Sequence, residues 1–76
     1  MPQLMSIIDA HLEKYGVREA AFARTVHASP QTISAWRHRG IRALPTAALL
    51  RSVADITGHP YREVLDAALT DAGYLP

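Results

Sequence analysis

The sequence predicts an all-α fold, a compact domain of five short helices, on three observations. Apolar residues recur at helical spacing in five separate stretches, a Gly or Pro stands between successive stretches, and no alternating β-branched run suggests a strand. The chain has 76 residues and is read as one domain, 1–76, because at this length folding hides only about 60% of the unfolded surface and one core must serve everything.

The first helix is expected over about 3 to 15, where Leu4, Ile7, Ile8, Leu12 and Tyr15 share a face and Gly16 supplies the stop. A second, over about 18 to 26, puts Phe22, Ala23 and Val26 on one side, away from Arg18 and Arg24. Ser29-Pro30 opens a third, over about 30 to 38. The serine hydroxyl accepts an orphan amide there, and proline fits the first helical position because no donor is missed. Gly40 closes it. Pro45 is expected at the first position of a fourth helix reaching about Thr57, with Leu49, Leu50, Val53, Ala54 and Ile56 facing in, before Gly58. The fifth opens at Pro60 and runs to about Ala72 with Val64, Leu65, Ala68 and Leu69 as its stripe and Gly73 as terminator.

Several function classes drop out early. There is no cysteine, so neither disulfides nor thiolate-bound zinc supplement the core. No apolar run approaches the ~18–20 residues a bilayer requires, and "MPQLMSIIDAH" lacks the basic start of a secretory signal, so the chain is read as soluble and cytoplasmic. His11, His27, His38 and His59 fall on different segments without metal-ligand spacing. No nucleophile with a base and no phosphate-cradling glycine loop is visible, so neither an enzyme, a cofactor, a metal nor a small-molecule ligand is expected.

Formal net charge is only +1, but the charges are segregated. From Lys14 to Arg51 seven basic residues face one acid, Glu19, whereas the flanks hold six acids and Arg62. A basic middle with acidic ends suits a protein that meets phosphates on one face. The third helix sits in that middle. On a helical wheel Ile33 and Trp36 lie within about 60° of each other, so Trp36 is assigned to the core rather than to base stacking, where burial contributes about 2–3 kcal/mol. Gln31, Ser34, Ala35 and His38 spread over the opposite side. Short, neutral side chains on a helix flanked by arginines suit entry into the major groove, whose ~12 Å width admits one α-helix.

The stretch "EAAFARTVHASPQTISAWRHRG", Glu19 to Gly40, resembles the helix-turn-helix (about 18–38) of phage repressor and Cro-type DNA-binding domains, the XRE family. Phe22, Ala23 and Val26 match the positions that pack its first helix, and Ile33 and Trp36 the pair that seats its recognition helix. "LPTAALLRSVADITGHPYREVL" resembles the family's fourth and fifth helices, so the likeness spans most of the chain. Two positions depart from the pattern. His27 stands where the turn often has Gly and must take a left-handed or nearby conformation. Glu19 replaces a Gln that often reaches a phosphate; a carboxylate there is repulsive, and Arg18 is expected to take over the contact.

The resemblance implies a sequence-specific regulator of transcription binding double-stranded DNA in the nucleoid, a phage immunity repressor or Cro-like protein foremost. An antitoxin autoregulator, an excision factor, or a protein-interaction module whose arginine face meets an acidic partner are the other readings. Gln31 is the foremost base reader, its amide suited to a bidentate pair with adenine; Ala35 suits a thymine methyl, and Thr32 and Ser34 adaptable hydrogen bonds. Phosphate contacts fall to Arg18, Arg24, Arg37, Arg39 and Arg42, to Ser29 with the helix N-terminal amides, and to His38 in a pH-sensitive way. A weak or DNA-dependent homodimer is expected through the last helix and tail, with Tyr61, Tyr74 and Leu75 exposed.

Overall fold

In the computed structural model, which describes residues 3–76, five helices follow in order: α1 (Gln3–Tyr15), α2 (Glu19–Thr25), α3 (Pro30–Arg39), α4 (Ala47–Thr57) and α5 (Tyr61–Asp71). The first two positions of the single-domain reading lie outside the described residues. The all-α, five-helix expectation holds, with no strand among the described residues. A single apolar cluster joins all five helices, and the Cα radius of gyration of 11.1 Å matches the ~11 Å of one packed domain of this length.

Helices α1, α4 and α5 form one packed group, with α5 against both others and α1 also against α4, while α2 lies on α3. That arrangement decides which residues go inside. Because α1 faces two neighbours, its apolar arc is wider than one stripe. Leu4, Met5 and Ile8 are buried, with Ile7 and Leu12 packed against them. Tyr15, expected in this face, is 61% exposed and lies beside the His11 ring, 4.9 Å between centroids. In α5 the small Ala67 and Ala68 turn inward with Val64 where α1 and α4 approach, leaving Leu65 and Leu69 at the edge. In α4, Leu50, Val53 and Ala54 are buried, but Ile56, expected inside, is exposed. It sits over 100° from the centre of that arc, taken at about 100° per residue.

Helix ends follow the sequence closely. The expected stops at Gly16, Gly58 and Gly73 all have positive φ. Two starts differ from expectation by a residue or two. Thr46, not Pro45, caps α4 by accepting from the Leu49 amide at 3.2 Å, and Pro60 precedes α5 rather than opening it. The start of α1 is closed from the far end of the chain. Both Asp71 carboxylate oxygens accept backbone amides, from Gln3 and Leu4, at 2.8 Å each.

The turn after α2 is the most constrained segment. His27, at φ 62°, is the one non-glycine residue with positive φ among those described. Its amide donates to Arg24 and the Ala28 amide to Ala23, at 3.1 and 2.8 Å, which is the paired bonding of a glycine-type helix stop with histidine in the glycine's place. The left-handed conformation expected at His27 is therefore present, held by two hydrogen bonds.

Candidate nucleic-acid interface

Helix α3 is built to show one face. Ser29, in extended conformation, caps it by accepting the Thr32 amide at 3.1 Å, and Pro30 occupies the first turn. Ile33 and Trp36, at 0% and 7% exposure, pin the helix to the core. Beneath them Phe22, Ala23 and Val26 are buried as expected. Ala23, with only a methyl group, is fully buried on α2, the helix that packs against α3.

The opposite arc of α3 is an open, shallow surface lined by Gln31, Ser34, Ala35, His38 and Arg39, with Pro30 at its start. Gln31, His38 and Arg39 are exposed; Ser34 and Ala35 are half-buried between them. A second depression at the end of the helix is lined by Arg39 and Arg42 together with Ala35 and Ala43. Gly40 turns the chain there with φ 79° and ψ 175°, a region essentially restricted to glycine. That turn lets Ile41 bury its side chain beside Arg42, which stays exposed.

No match to this chain is found among protein-family models, curated proteins or solved structures. Its chemistry therefore has to be read from the surface itself. That surface is neutral where α3 begins and basic where it ends.

Two of the expected site residues make side-chain contacts within the protein. Thr32 stands apart from the outward arc. Its hydroxyl lies 2.9 Å from Ser29 Oγ and its amide donates to the same atom, so both Ser29 and Thr32 hydroxyls serve the helix cap. Arg37, expected to contact phosphate, is engaged by carboxylates of the protein itself. Its Nε donates to Glu19 Oε1 at 2.7 Å, Nη1 to Asp9 Oδ2 at 2.9 Å, and Nη2 to Asp9 Oδ1. These contacts, to Asp9 first and Glu19 second, push its pKa still higher than a guanidinium's ordinary value. Three of its five N–H donors are thus used inside the protein, with the side chain 32% exposed.

Arg18 and Arg24 are exposed at the two ends of α2, and neither they nor Arg39 and Arg42 make an ion pair among the described residues. Arg51 lies over the Tyr61 ring, 4.5 Å from its centroid, and Tyr61 is half-buried against the core rather than exposed as expected. Tyr74 and Leu75, at 68% and 41%, are exposed.

No set of three His, Cys, Asp or Glu side chains is placed to hold a metal ion among the described residues. His11 packs on Phe22 and Tyr15 with Nδ1 buried and unpartnered, and His59 pairs with Glu63 at 3.1 Å. Among the described residues no helix is long and apolar enough to cross a membrane.

The Asp9–Arg37–Glu19 cluster escaped the sequence reading. Asp9 lies 28 positions from Arg37, and no local spacing rule joins them. One clue was present: a carboxylate at Glu19, where the resemblance has an amide, implies a cation nearby.

Proposed function

We propose that this chain is a sequence-specific reader of double-stranded DNA that regulates transcription in the cytoplasm, at the nucleoid. Repression by occupying an operator, in the manner of a phage immunity repressor or Cro-like protein, is the form the resemblance favours. The observation that carries the reading is the outward arc of α3, where Gln31, Ser34 and Ala35 present short neutral groups and Arg39 and Arg42 follow at one end. A groove floor of base edges wants neutral hydrogen-bonders, whereas its phosphate walls want cations.

Gln31 takes the adenine, Ala35 the thymine methyl, and Ser34 an adaptable hydrogen bond. Arg18, Arg24, Arg39, Arg42 and His38 take phosphates, together with the free amides at the Ser29-capped start of α3. The exposed Tyr74 and Leu75 are the self-association surface of a weak or DNA-dependent dimer, which would bring two copies of α3 to half-sites one helical turn apart.

The test is selection of duplexes from a random pool, followed by binding isotherms across a salt series. Four phosphate-contacting guanidinium groups predict a log-log slope of about −3 to −4. Gln31→Ala relaxes preference at one or two base pairs and spares binding to unrelated DNA. Arg39→Ala weakens binding to every sequence alike and flattens the slope by about 0.9. A chain that enriches no sequence and binds duplexes without salt dependence is not a DNA reader, and its arginine face then belongs to an acidic protein partner.

A further inference from the structure

One planar group ties α3 to two other helices. Arg37 sits on the border between the buried and outward arcs of α3, next to Ile33 on one side and Ser34 on the other, as placed by about 100° per residue. From there its guanidinium meets both oxygens of Asp9 in α1 and one of Glu19 at the start of α2. Extended helix-to-helix packing joins α3 to α2 but not to α1, so the Asp9 fork is the polar link between α3 and α1. A single hydrogen bond leaves a helix free to turn about it. A bidentate fork with a third bond to another helix does not, because the guanidinium plane must match both partners at once.

We infer that Arg37 is the positioning residue of the α3 surface: held by Asp9 and Glu19, it sets the rotation at which Gln31, Ser34 and Ala35 meet the bases, and it touches no phosphate itself. The inference rests on the DNA-reading proposal above. The needed precision follows from geometry. A glutamine amide about 8 Å from the helix axis moves about 1.4 Å when the helix turns by about 10°, more than a bidentate hydrogen bond tolerates. Arg37 thus acts on discrimination between sequences. Its charge is already neutralised by two carboxylates, so it releases no counterions on binding.

The experiment compares wild type, Arg37→Lys, Asp9→Asn and Glu19→Gln on two duplexes, one selected from a random pool and one unrelated, across a salt series. Far-ultraviolet circular dichroism verifies that each variant is folded. Three variants are used because each removes a different arm of the cluster, and any folded one decides the matter. Each is expected to lower the ratio of selected to unrelated affinity by about tenfold, the scale of one well-placed base contact, with the salt slope unchanged. An Arg37 that contacts phosphate gives the reverse. Asp9→Asn then frees the guanidinium, tightens binding to both duplexes alike and steepens the slope by up to about 0.9, while Arg37→Lys keeps the wild-type ratio. That pattern, in a wild type that does discriminate, overturns the inference alone. A wild type with no preference between the duplexes overturns the DNA reading and this inference with it.

Discussion

Replacing Asp71 by alanine should destabilise the fold through a contact that spans nearly the whole chain. The first amides of α1 have no partner within their own helix, and those of Gln3 and Leu4 donate to the two Asp71 oxygens at 2.8 Å each. A lost helix cap costs about 0.5–2 kcal/mol. Removing a carboxylate from a helix N-terminus costs a further ~0.3–1 kcal/mol. Asp71 is also the last residue of α5, where negative charge is mildly unfavourable, so the two effects partly offset and about 1.5–2 kcal/mol remains. For a domain of this size that lowers the unfolding midpoint by about 10 °C. Urea titration followed at 222 nm measures it, with the slope on denaturant unchanged because the exposed surface is the same. Asp71→Asn retains one acceptor oxygen and should lose about half as much. A loss below about 0.5 kcal/mol for Asp71→Ala would show that the α1 amides are equally well served by water, and the closure of the chain ends would carry no energy.

Two further substitutions probe the helix-turn unit. His27→Gly should stabilise by about 0.5–1 kcal/mol, since relief of a left-handed non-glycine residue outweighs the entropy that glycine adds to the unfolded chain; thermal unfolding reads this as a rise of a few degrees, and DNA affinity should not change because His27 is exposed at the turn. Ala23→Leu should cost about 1–3 kcal/mol or more by overpacking a fully buried position between α2 and α3, and it should lower DNA discrimination in parallel with stability, measured by the paired-duplex titration.

What was legible in the sequence is what depends on neighbours a few residues away. Ser29-Pro30 announced the start of α3 because a cap acts over three positions, and the structure has the Ser29 hydroxyl on the Thr32 amide. His27 in a glycine position implied a positive φ, and it is there. The pairing of Ile33 with Trp36 separated a buried from an outward arc, and burial follows that division. The misses share the opposite property. Met5 and Ala67 are buried because α1 and α5 each touch two helices, a fact of topology that a single-stripe pattern does not hold. Thr32 differs from its outward neighbours through the same cap, since its hydroxyl lies 2.9 Å from Ser29 Oγ.

Charge shows most clearly where local reasoning stops. Arg37 and Arg39 are two residues apart in the same basic run, yet about 200° of rotation separates them on α3. One side of that rotation looks toward α1 and α2, where Asp9 and Glu19 wait; the other looks outward, where no carboxylate forms an ion pair with Arg39 among the described residues. The same side chain therefore becomes an internal strut in one place and an open cation in the other. The count of seven basic residues against one acid overstates the field the α3 surface projects, because Arg37 is neutralised by an acid from the flank, while Arg51 lies away from α3 over the Tyr61 ring. The four remaining arginines, Arg18, Arg24, Arg39 and Arg42, set the expected salt slope of about −3 to −4, where a count of every basic residue in the run would predict about −6. A measured slope about 0.9 steeper than that of the four arginines, and flattened again by Arg37→Ala, would mean that DNA pulls Arg37 out of its carboxylates and that the strut is part of the interface.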